Sequence, residues 1–295
     1  MDRAARPILK WAGGKTQLLP EILQRLPSAI ETYYEPFVGG AAVFFALAAQ
    51  GRFKRAVLSD TNPDLVGLYR CIQRDVEGVI RALGSYRYDE REYYRVRDSK
   101  LPRSPTARAA RLIFLNKTGY NGLYRVNRAG QFNVPFGRYK NPTICDADNL
   151  RAAARALRSA ELEVDDFASL SRRAKQGDAV YFDPPYLPVS KTANFTAYDR
   201  RAFELTDHER LAATFADLNE RGIAALLSNS DTRVTRSLFA PFHVDTVTVA
   251  RAINSNAKKR GPVAEILVSS AACSELHARR RKPARRATPR AGRLG

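Results

Sequence analysis

Residues 180–186 constrain the fold and the chemistry of this chain more than any other segment. β-Branched and aromatic residues at 180–182 predict a buried strand, and Asp183-Pro184-Pro185 ends it, since proline cannot donate to a β-ladder. The Asp183 carboxylate, the proline carbonyls and the Tyr186 ring are then held at the carboxyl edge of a sheet, where open α/β folds bind their ligands. We therefore interpret this segment as an active site rather than as a strand-ending turn with a surface tyrosine.

The chemistry of this segment suits the exocyclic amine of a base such as adenine. That amine is a poor nucleophile because its lone pair is delocalised into the ring. Hydrogen bonds from its two N–H groups to Asp183 and to the Pro184 carbonyl would free the lone pair for attack. Tyr186 is expected to stack on the base, and nearby aromatic faces would attract a sulfonium. The predicted catalytic residues are therefore Asp183, Pro184, Pro185 and Tyr186.

A strongly basic composition indicates a polyanionic partner, most plausibly nucleic acid. The 295 residues carry 49 Lys and Arg against 30 Asp and Glu, a formal net charge of +19. Residues 277–295 contain eight Lys and Arg, no acid and no apolar periodicity. We therefore predict a disordered basic tail over 273–295.

The cysteines, histidines and apolar segments exclude several classes of protein. Cys71, Cys145 and Cys273 are far apart, and the three histidines are equally scattered, so neither a disulfide framework nor a metal site is predicted. The apolar stretches are too short to cross a bilayer, and the N-terminus lacks the apolar region of a signal peptide. We expect a cytoplasmic, DNA-associated monomer without a membrane partner.

Two glycine turns precede predicted helices near the N-terminus. Gly13-Gly14-Lys15 lacks the upstream glycine of a P-loop, and taken alone it is as typical of an ordinary turn as of a ligand site. Gly39-Gly40 lies between a predicted strand and an apolar helical segment, which indicates the opening of a Rossmann-like βαβ unit.

An acid at the end of the next predicted strand extends this second pattern. Asp60 follows the strand at 56–59 and lies roughly 20 residues past the glycine turn, where an acid can accept hydrogen bonds from ribose hydroxyls. The turn itself lacks the G-x-G-x-x-G spacing of dinucleotide-binding proteins. Together the two features predict a cofactor that contains a nucleoside but no pyrophosphate.

The remaining patterns complete the sheet and place an insertion within it. Strands are predicted at 160–164, 224–228, 243–250 and 264–268, with helices at 207–221 and 232–239. We assign 1–64 and 147–272 to a catalytic domain and 65–146 to an inserted domain. Helices are predicted in the insertion at 65–72, 76–83, 93–98 and 107–115. A hairpin is expected to pair 123–127 with 131–134.

The insertion is basic in an unusual way. No acid occurs from 99 to 145, and nine Lys and Arg lie between 100 and 140, interleaved with Asn, Tyr and Phe. A solvated basic face normally includes acids, whereas Arg and Asn make bidentate contacts to guanine and adenine. We therefore interpret the insertion as a target-recognition domain.

The motifs described so far, with several others, resemble the Dam family (D12 class) of DNA adenine N6-methyltransferases. The resemblance covers roughly residues 7–270. Its motifs are KWAGGK at 10–15, EPFVGG at 35–40, LNKTGYNGLYR at 115–125, FNVPFGRYK at 132–140, DPPY at 183–186, TANFTAY at 192–198 and SNSDT at 228–232. Two departures are the Gly39-Gly40-Ala41 ending of the glycine motif and the detail of the loop at 255–261.

The resemblance implies a fold, a cofactor and a set of cofactor contacts. The fold would be the α/β sheet of a class I S-adenosylmethionine-dependent, Rossmann-like methyltransferase with an inserted helical and hairpin DNA-recognition domain. S-Adenosylmethionine would be the cofactor. The residues implied in its pocket are Trp11, Lys15, Glu35, Phe37, Gly39, Asp60, Phe167 and Asp183.

The resemblance also implies a target, the adenine in GATC within double-stranded DNA. Lys10 would contact the first guanine, and Leu123 the thymine methyl. Arg125 would pair with the guanine opposite the final cytosine. Tyr120 and Asn121 would lie at the vacated or flanking bases. The full implied DNA-binding set is Lys10, Tyr120, Asn121, Leu123, Arg125, Arg138 and Tyr139.

The expected reaction is direct transfer of methyl to N6 of a flipped adenine, without a metal or a covalent intermediate. Two other functions remain open from the sequence. One is cytosine N4 methylation, which shares the amine chemistry, although enzymes of that kind more often carry serine at position 183. The other is a basic DNA-binding protein without catalysis, which the intact Asp183 and glycine turn disfavour.

Overall fold

The computed structural model describes residues 4–127, 129–187, 203–250 and 262–281. Seven strands form one sheet in the order β3-β2-β1-β4-β5-β7-β6. The strands are β1 Ile30–Glu35, β2 Phe53–Asp60, β3 Ala160–Val164, β4 Ala179–Phe182, β5 Ala224–Ser230, β6 His243–Ala250 and β7 Pro262–Ser269. This sheet confirms the predicted class I S-adenosylmethionine-dependent methyltransferase fold.

Helices cover both faces of the sheet. On one face α1–α3, α5 and α6 contribute to an apolar core with Tyr33 and Leu226, and on the other α7 and α8 pack on Val180 and Leu227. None of the described helices is long and apolar enough to cross a membrane. The helices are α1 Leu19–Arg25, α2 Ala42–Ala49, α3 Pro63–Leu83, α4 Glu90–Asp98, α5 Pro105–Thr118, α6 Ala147–Leu157, α7 Phe167–Arg173, α8 Leu205–Glu220, α9 Arg233–Leu238 and α10 Ala271–Arg281.

The strand directions bring the predicted site residues to one edge. β1 to β5 pair in parallel, whereas β7 is inserted antiparallel between β5 and β6. All four residues of β4 are buried because it lies in the middle of the sheet between β1 and β5. The carboxyl ends of β1, β2, β4 and β5 therefore meet, and Asp60 and Asp183 lie at that edge.

Most predicted elements are present with small shifts. The strands at 160–164 and 243–250 have the predicted bounds, whereas β5 and β7 are longer at one or both ends. The predicted hairpin is reduced to a single antiparallel bridge between Val126 and Phe132, supported by a 2.8 Å bond from the Asn127 N–H to the Gln131 carbonyl. Helix α3 runs through the predicted boundary at 64/65 without a break, so the division into domains stays a prediction.

The prediction of disorder from residue 273 is wrong for residues 273–281. Helix α10 covers Ala271–Arg281, and Cys273 and His277, one turn apart, are buried. Arg280 also donates to the Gln24 and Leu26 carbonyls at the end of α1. The composition of the whole segment concealed this, because the arginines at 279–281 follow directly on the short buried face of the same helix. Residues 282–295 lie outside the described part of the chain.

Candidate active site

Asp183 lies directly after β4 and is held by two side chains from other elements. Its Oδ1 accepts a 3.0 Å hydrogen bond from Ser228 Oγ on β5 and lies 2.7 Å from Lys15 Nζ. Burial raises the pKa of Asp183 above its usual range, although Lys15 and Ser228 act to lower that pKa. The carboxylate is thus oriented and poorly solvated, which strengthens any hydrogen bond it accepts from a ligand.

The Lys15 side chain lies between Asp183 and Tyr186, where the target amine is predicted to bind. The Lys15 side chain is only 6% exposed, donates to the Gly13 carbonyl and lies 4.6 Å from the centroid of the Tyr186 ring. A donor nitrogen therefore lies on the Asp183 carboxylate and over an aromatic face at the same time. These are the two contacts predicted for a stacked base with an exocyclic amine.

The segment after the two prolines is fixed to the neighbouring strands. Tyr186 donates a 2.8 Å hydrogen bond from its hydroxyl to Glu265 on β7, and Ser230 Oγ donates to the Leu187 carbonyl at 2.8 Å. Sequence reasoning missed Glu265 and assigned no role to Ser228. The strongest available indication for Glu265 was that it is the sole acid in an otherwise apolar strand.

The glycine turn after β1 gathers three predicted cofactor residues. Gly39 has φ +43°, and a Cβ there would come within 2.8 Å of the Trp11 ring. Its N–H donates to Asp60 Oδ2 at 3.3 Å, and its carbonyl accepts from the Tyr69 hydroxyl at 2.7 Å. Backbone, carboxylate and indole therefore meet where β1 and β2 end.

Aromatic rings line the adjoining part of the edge. Phe37 and Phe167 stack with centroids 5.5 Å apart, and Phe203 meets Phe37 edge-on at 5.7 Å. The Arg210 guanidinium lies 4.4 Å from the Phe167 ring and is paired with Asp166 at 2.7 Å. Such a group of rings beside an acid provides an apolar surface for a flat heterocycle.

Glu35 is placed beneath this edge rather than on its surface. Its side chain is 3% exposed, and Oε2 accepts bonds from the Tyr33 hydroxyl at 2.9 Å and from the Phe44 N–H at 3.1 Å. Burial is the main reason that its pKa rises to about 8. At neutral pH the side chain is therefore a neutral acid that ties β1 to α2 below the glycine turn.

We expect Glu35→Gln to remove a pH dependence from the free energy of unfolding. Because the pKa of folded Glu35 is about 8 and the ordinary value is 4.5, its contribution is fully present below about pH 4.5 and lost as pH rises through about 8. Wild-type protein should lose a few kcal/mol relative to the variant over this range. Urea unfolding at pH 5 and pH 8.5 measures the difference. Glu31→Gln, exposed on the same strand, is the control, and parallel curves for wild type and Glu35→Gln would contradict the neutral-acid assignment.

Comparison with known proteins decides the family. Residues 11–253 match the model of the D12 class N6 adenine-specific DNA methyltransferases. The chain belongs to this family. It is 42% identical over 274 residues to a type II methyltransferase of Methanocaldococcus jannaschii, covering 86% of this chain and 95% of the relative. It is 39% identical over 267 residues to the DNA adenine methylase of Escherichia coli K12, covering 89% and 94%.

The family match selects among the functions left open by the sequence. It confirms an adenine-specific DNA methyltransferase, so the cytosine and non-catalytic alternatives are set aside. A type II methyltransferase of Lactococcus lactis is also 38% identical over 274 residues, covering 90% of this chain and 95% of the relative. Within the described residues, no group of three or more His, Cys, Asp or Glu side chains could hold a metal ion.

The predicted DNA-binding residues of the methyltransferase lie in the segments 120–125 and 138–139 and, for Lys10, in the N-terminal segment before α1. Lys10 Nζ lies 4.1 Å from the centroid of the Tyr139 ring, whose hydroxyl donates to the Gly119 carbonyl at 2.9 Å. The Arg125 guanidinium is exposed and donates to Asn133 Oδ1 at 2.8 Å and to its carbonyl at 3.0 Å.

The other predicted DNA contacts share this surface of the methyltransferase. Tyr120 is 45% exposed and Arg138 is exposed, whereas Leu123 is half-buried. Asn121 has φ +53°, which turns the backbone sharply between Tyr120 and Leu123. The motifs at 192–198 and 255–261 lie outside the described residues.

Proposed function

We propose that the protein transfers a methyl group from S-adenosylmethionine to N6 of an adenine flipped out of duplex DNA, and that its target sequence is GATC. The observation that carries this proposal is the environment of Asp183. Its oriented, poorly solvated carboxylate lies beside the Tyr186 ring, and a donor nitrogen, that of Lys15, contacts both. One chain supplies both the catalytic and the recognition residues, so we propose that it acts as a monomer.

The residues at the ends of β1 and β2 fit the cofactor. Asp60, which accepts the Gly39 N–H, would also accept bonds from ribose hydroxyls, and the close approach of Gly39 to the Trp11 ring leaves no room for a side chain at position 39. Phe37, which is half-buried, would offer aromatic surface to an adenine, and the buried Phe167 ring packs against it with centroids 5.5 Å apart. When bound, S-adenosylmethionine supplies an electrophilic methyl group on a sulfonium.

The target amine would replace Lys15 at Asp183. Its two N–H groups would donate to the Asp183 carboxylate and to the Pro184 carbonyl, which makes the nitrogen more nucleophilic. Tyr186 would stack on the base, held in place by its bond to Glu265. Pro185 would keep the backbone from relaxing, since its ring fixes φ. Lys15 would remain close enough to balance the charge of Asp183.

The proposed target sequence is the one that the resemblance to the Dam family implies, and the side chains of the predicted DNA-binding residues suit it. Arg125 presents a planar fork of donors that matches guanine O6 and N7, and Leu123 presents an apolar surface suited to a thymine methyl. Lys10 would contact the first guanine, with Tyr120 and Asn121 at the vacated or flanking bases. Arg138 and Tyr139 would complete the surface.

Two measurements test this proposal. Purified protein is incubated with tritiated S-adenosylmethionine and duplex DNA, and the labelled base is identified. N6-methyladenine is then mapped by sequencing DNA from cells that express the protein. Label in N6-methyladenine at GATC is the expected result. Modification centred on another sequence would overturn the target, and the absence of label at saturating DNA would overturn the activity.

Removal of residues 282–295 should weaken DNA binding without changing the methylated sequence. Its removal leaves α10 intact, because that helix ends at Arg281. The segment carries five Lys and Arg, so it would contribute attraction to phosphates rather than base contacts. We expect a smaller dependence of binding on salt concentration, measured by titration at several salt concentrations. A full-length variant with the five basic residues changed to glutamine should behave in the same way. A changed site preference in either protein would contradict this role.

A further inference from the structure

Asn116 near the end of α5 forms a fully buried clamp on the main chain of Lys10. Its Oδ1 accepts from the Lys10 N–H at 2.8 Å, and its Nδ2 donates to the Lys10 carbonyl at 2.8 Å. Nδ2 also donates to the Gly122 carbonyl at 2.8 Å. All three partners fix the orientation of the amide, because one partner is a donor and two are acceptors.

The clamp joins the N-terminal turn of the candidate active site to the loop between Tyr120 and Arg125. Lys10 directly precedes the turn that carries Trp11 and Lys15, and Lys15 contacts Asp183. Gly122 lies in the loop between Tyr120 and Arg125, and its φ is +62°. A Cβ at Gly122 would overlap the Lys10 side chain, so that side chain packs directly on the Gly122 backbone.

We propose that Asn116 is a positioning residue that couples base recognition to methyl transfer. By holding Lys10 against the Gly122 loop, it sets the Lys10 and Arg125 side chains at a fixed separation along the DNA. The same bonds set the start of the turn that delivers Lys15 to Asp183. A wrong base pair that displaces the loop would therefore also displace Lys15 from its place beside Asp183. This inference rests on the proposed role of the loop in reading bases.

The chain contains a matched control for this clamp. Asn149 on α6 holds Arg6 in the same manner, accepting from its N–H at 2.9 Å and donating to its carbonyl at 3.0 Å. Asn149 is also buried, at 4% exposure. It acts on the same N-terminal segment four residues earlier, and among the described residues its side chain makes no hydrogen bond to the loop between Tyr120 and Arg125.

The test compares Asn116→Asp with Asn149→Asp in the full chain. Each change keeps the shape of the side chain and removes its amide donors. The preference of methylation, kcat/KM for the best site over sites with one altered base pair, is measured on a DNA library. Asn116→Asp should lower this preference about tenfold, the value of one misplaced base contact. Asn149→Asp should leave it within about twofold, as expected for distant sites.

Thermal unfolding separates positioning from stability. A merely structural Asn116 would lower the unfolding temperature and the rate on every sequence equally, and an unchanged preference would overturn the proposal. Asn116→Ser, which is smaller and uncharged, is used if the aspartate variant does not fold, and the same criterion applies. The best site is taken from the wild type. A best site other than GATC would therefore refute the proposed target and leave this comparison intact.

Discussion

Asp183→Ala should reduce the rate of methyl transfer at least about a hundredfold, the lower range for removal of one positioned catalytic group. The variant would lose the acceptor for the target amine while keeping Tyr186 and the proline carbonyls. Single-turnover rates at saturating DNA and S-adenosylmethionine measure the loss in the chemical step. Binding of DNA should change much less, because Asp183 lies at the sheet edge and outside the loop that carries Arg125.

Ser228→Ala is the matched control for Asp183→Ala. It removes one 3.0 Å bond to the carboxylate but keeps the carboxylate itself, so the rate should fall by about tenfold or less.

Acidic pH should reproduce in the wild type the loss of rate expected for Asp183→Ala, because burial raises the pKa of Asp183 and protonation removes its charge. The rate should therefore fall as pH decreases through that pKa. A folded Asp183→Ala protein with near-normal turnover would refute the proposed role.

Arg125→Ala should relax discrimination at one outer base pair of the target by about 1–3 kcal/mol, the usual value of a bidentate contact. Asn133 would preorganise the proposed contact, because it already holds the exposed guanidinium through two hydrogen bonds. Less rotational freedom then has to be lost when DNA binds. Methylation rates on duplexes that differ at each position of the site measure the change.

Arg125→Lys is the control for charge. Lysine restores attraction to DNA but lacks the planar fork, so affinity should recover more than selectivity does. Asn133→Ala tests the orientation separately, since it removes the Oδ1 acceptor at 2.8 Å and leaves Arg125 in place. We expect a smaller loss of selectivity than for Arg125→Ala. Equal selectivity of wild type and Arg125→Ala at every position would exclude Arg125 from base recognition.

The sequence predicted those parts of the site that depend on local chemistry. The apolar run before Asp183 indicated a central strand, and the spacing from Gly39 to Asp60 indicated two adjacent parallel strands. Both predictions depend only on short-range pattern and on the geometry of a parallel sheet. The bounds of β3 and β6 were predictable for the same reason.

Contacts between distant segments could not be predicted in this way. Glu265 reaches Tyr186 only because β7 is inserted antiparallel beside β5, and a single sequence contains no measure of that order. Asn116 lies in the LNKTGYNGLYR motif at 115–125, but its bonds to Lys10 depend on how α5 packs. The position of Glu35 was equally hidden, because an acid on a strand is normally exposed. Helix α10 was missed because its three terminal arginines made the segment look like a disordered basic tail, although one face of the helix is buried.

The bonds that hold α1 in place join it to residues that are synthesised much later. Arg25 pairs with Asp245, which is 220 positions later, and Arg280 reaches Gln24 across 256 positions. The ribosome therefore releases the Lys15 turn long before it releases the residues that anchor the following helix. A nascent chain interrupted before β6 carries Asp183 and the loop proposed to read bases, but it lacks these anchors and Glu265. We therefore expect methylation to begin only when the last strands and α10 have emerged.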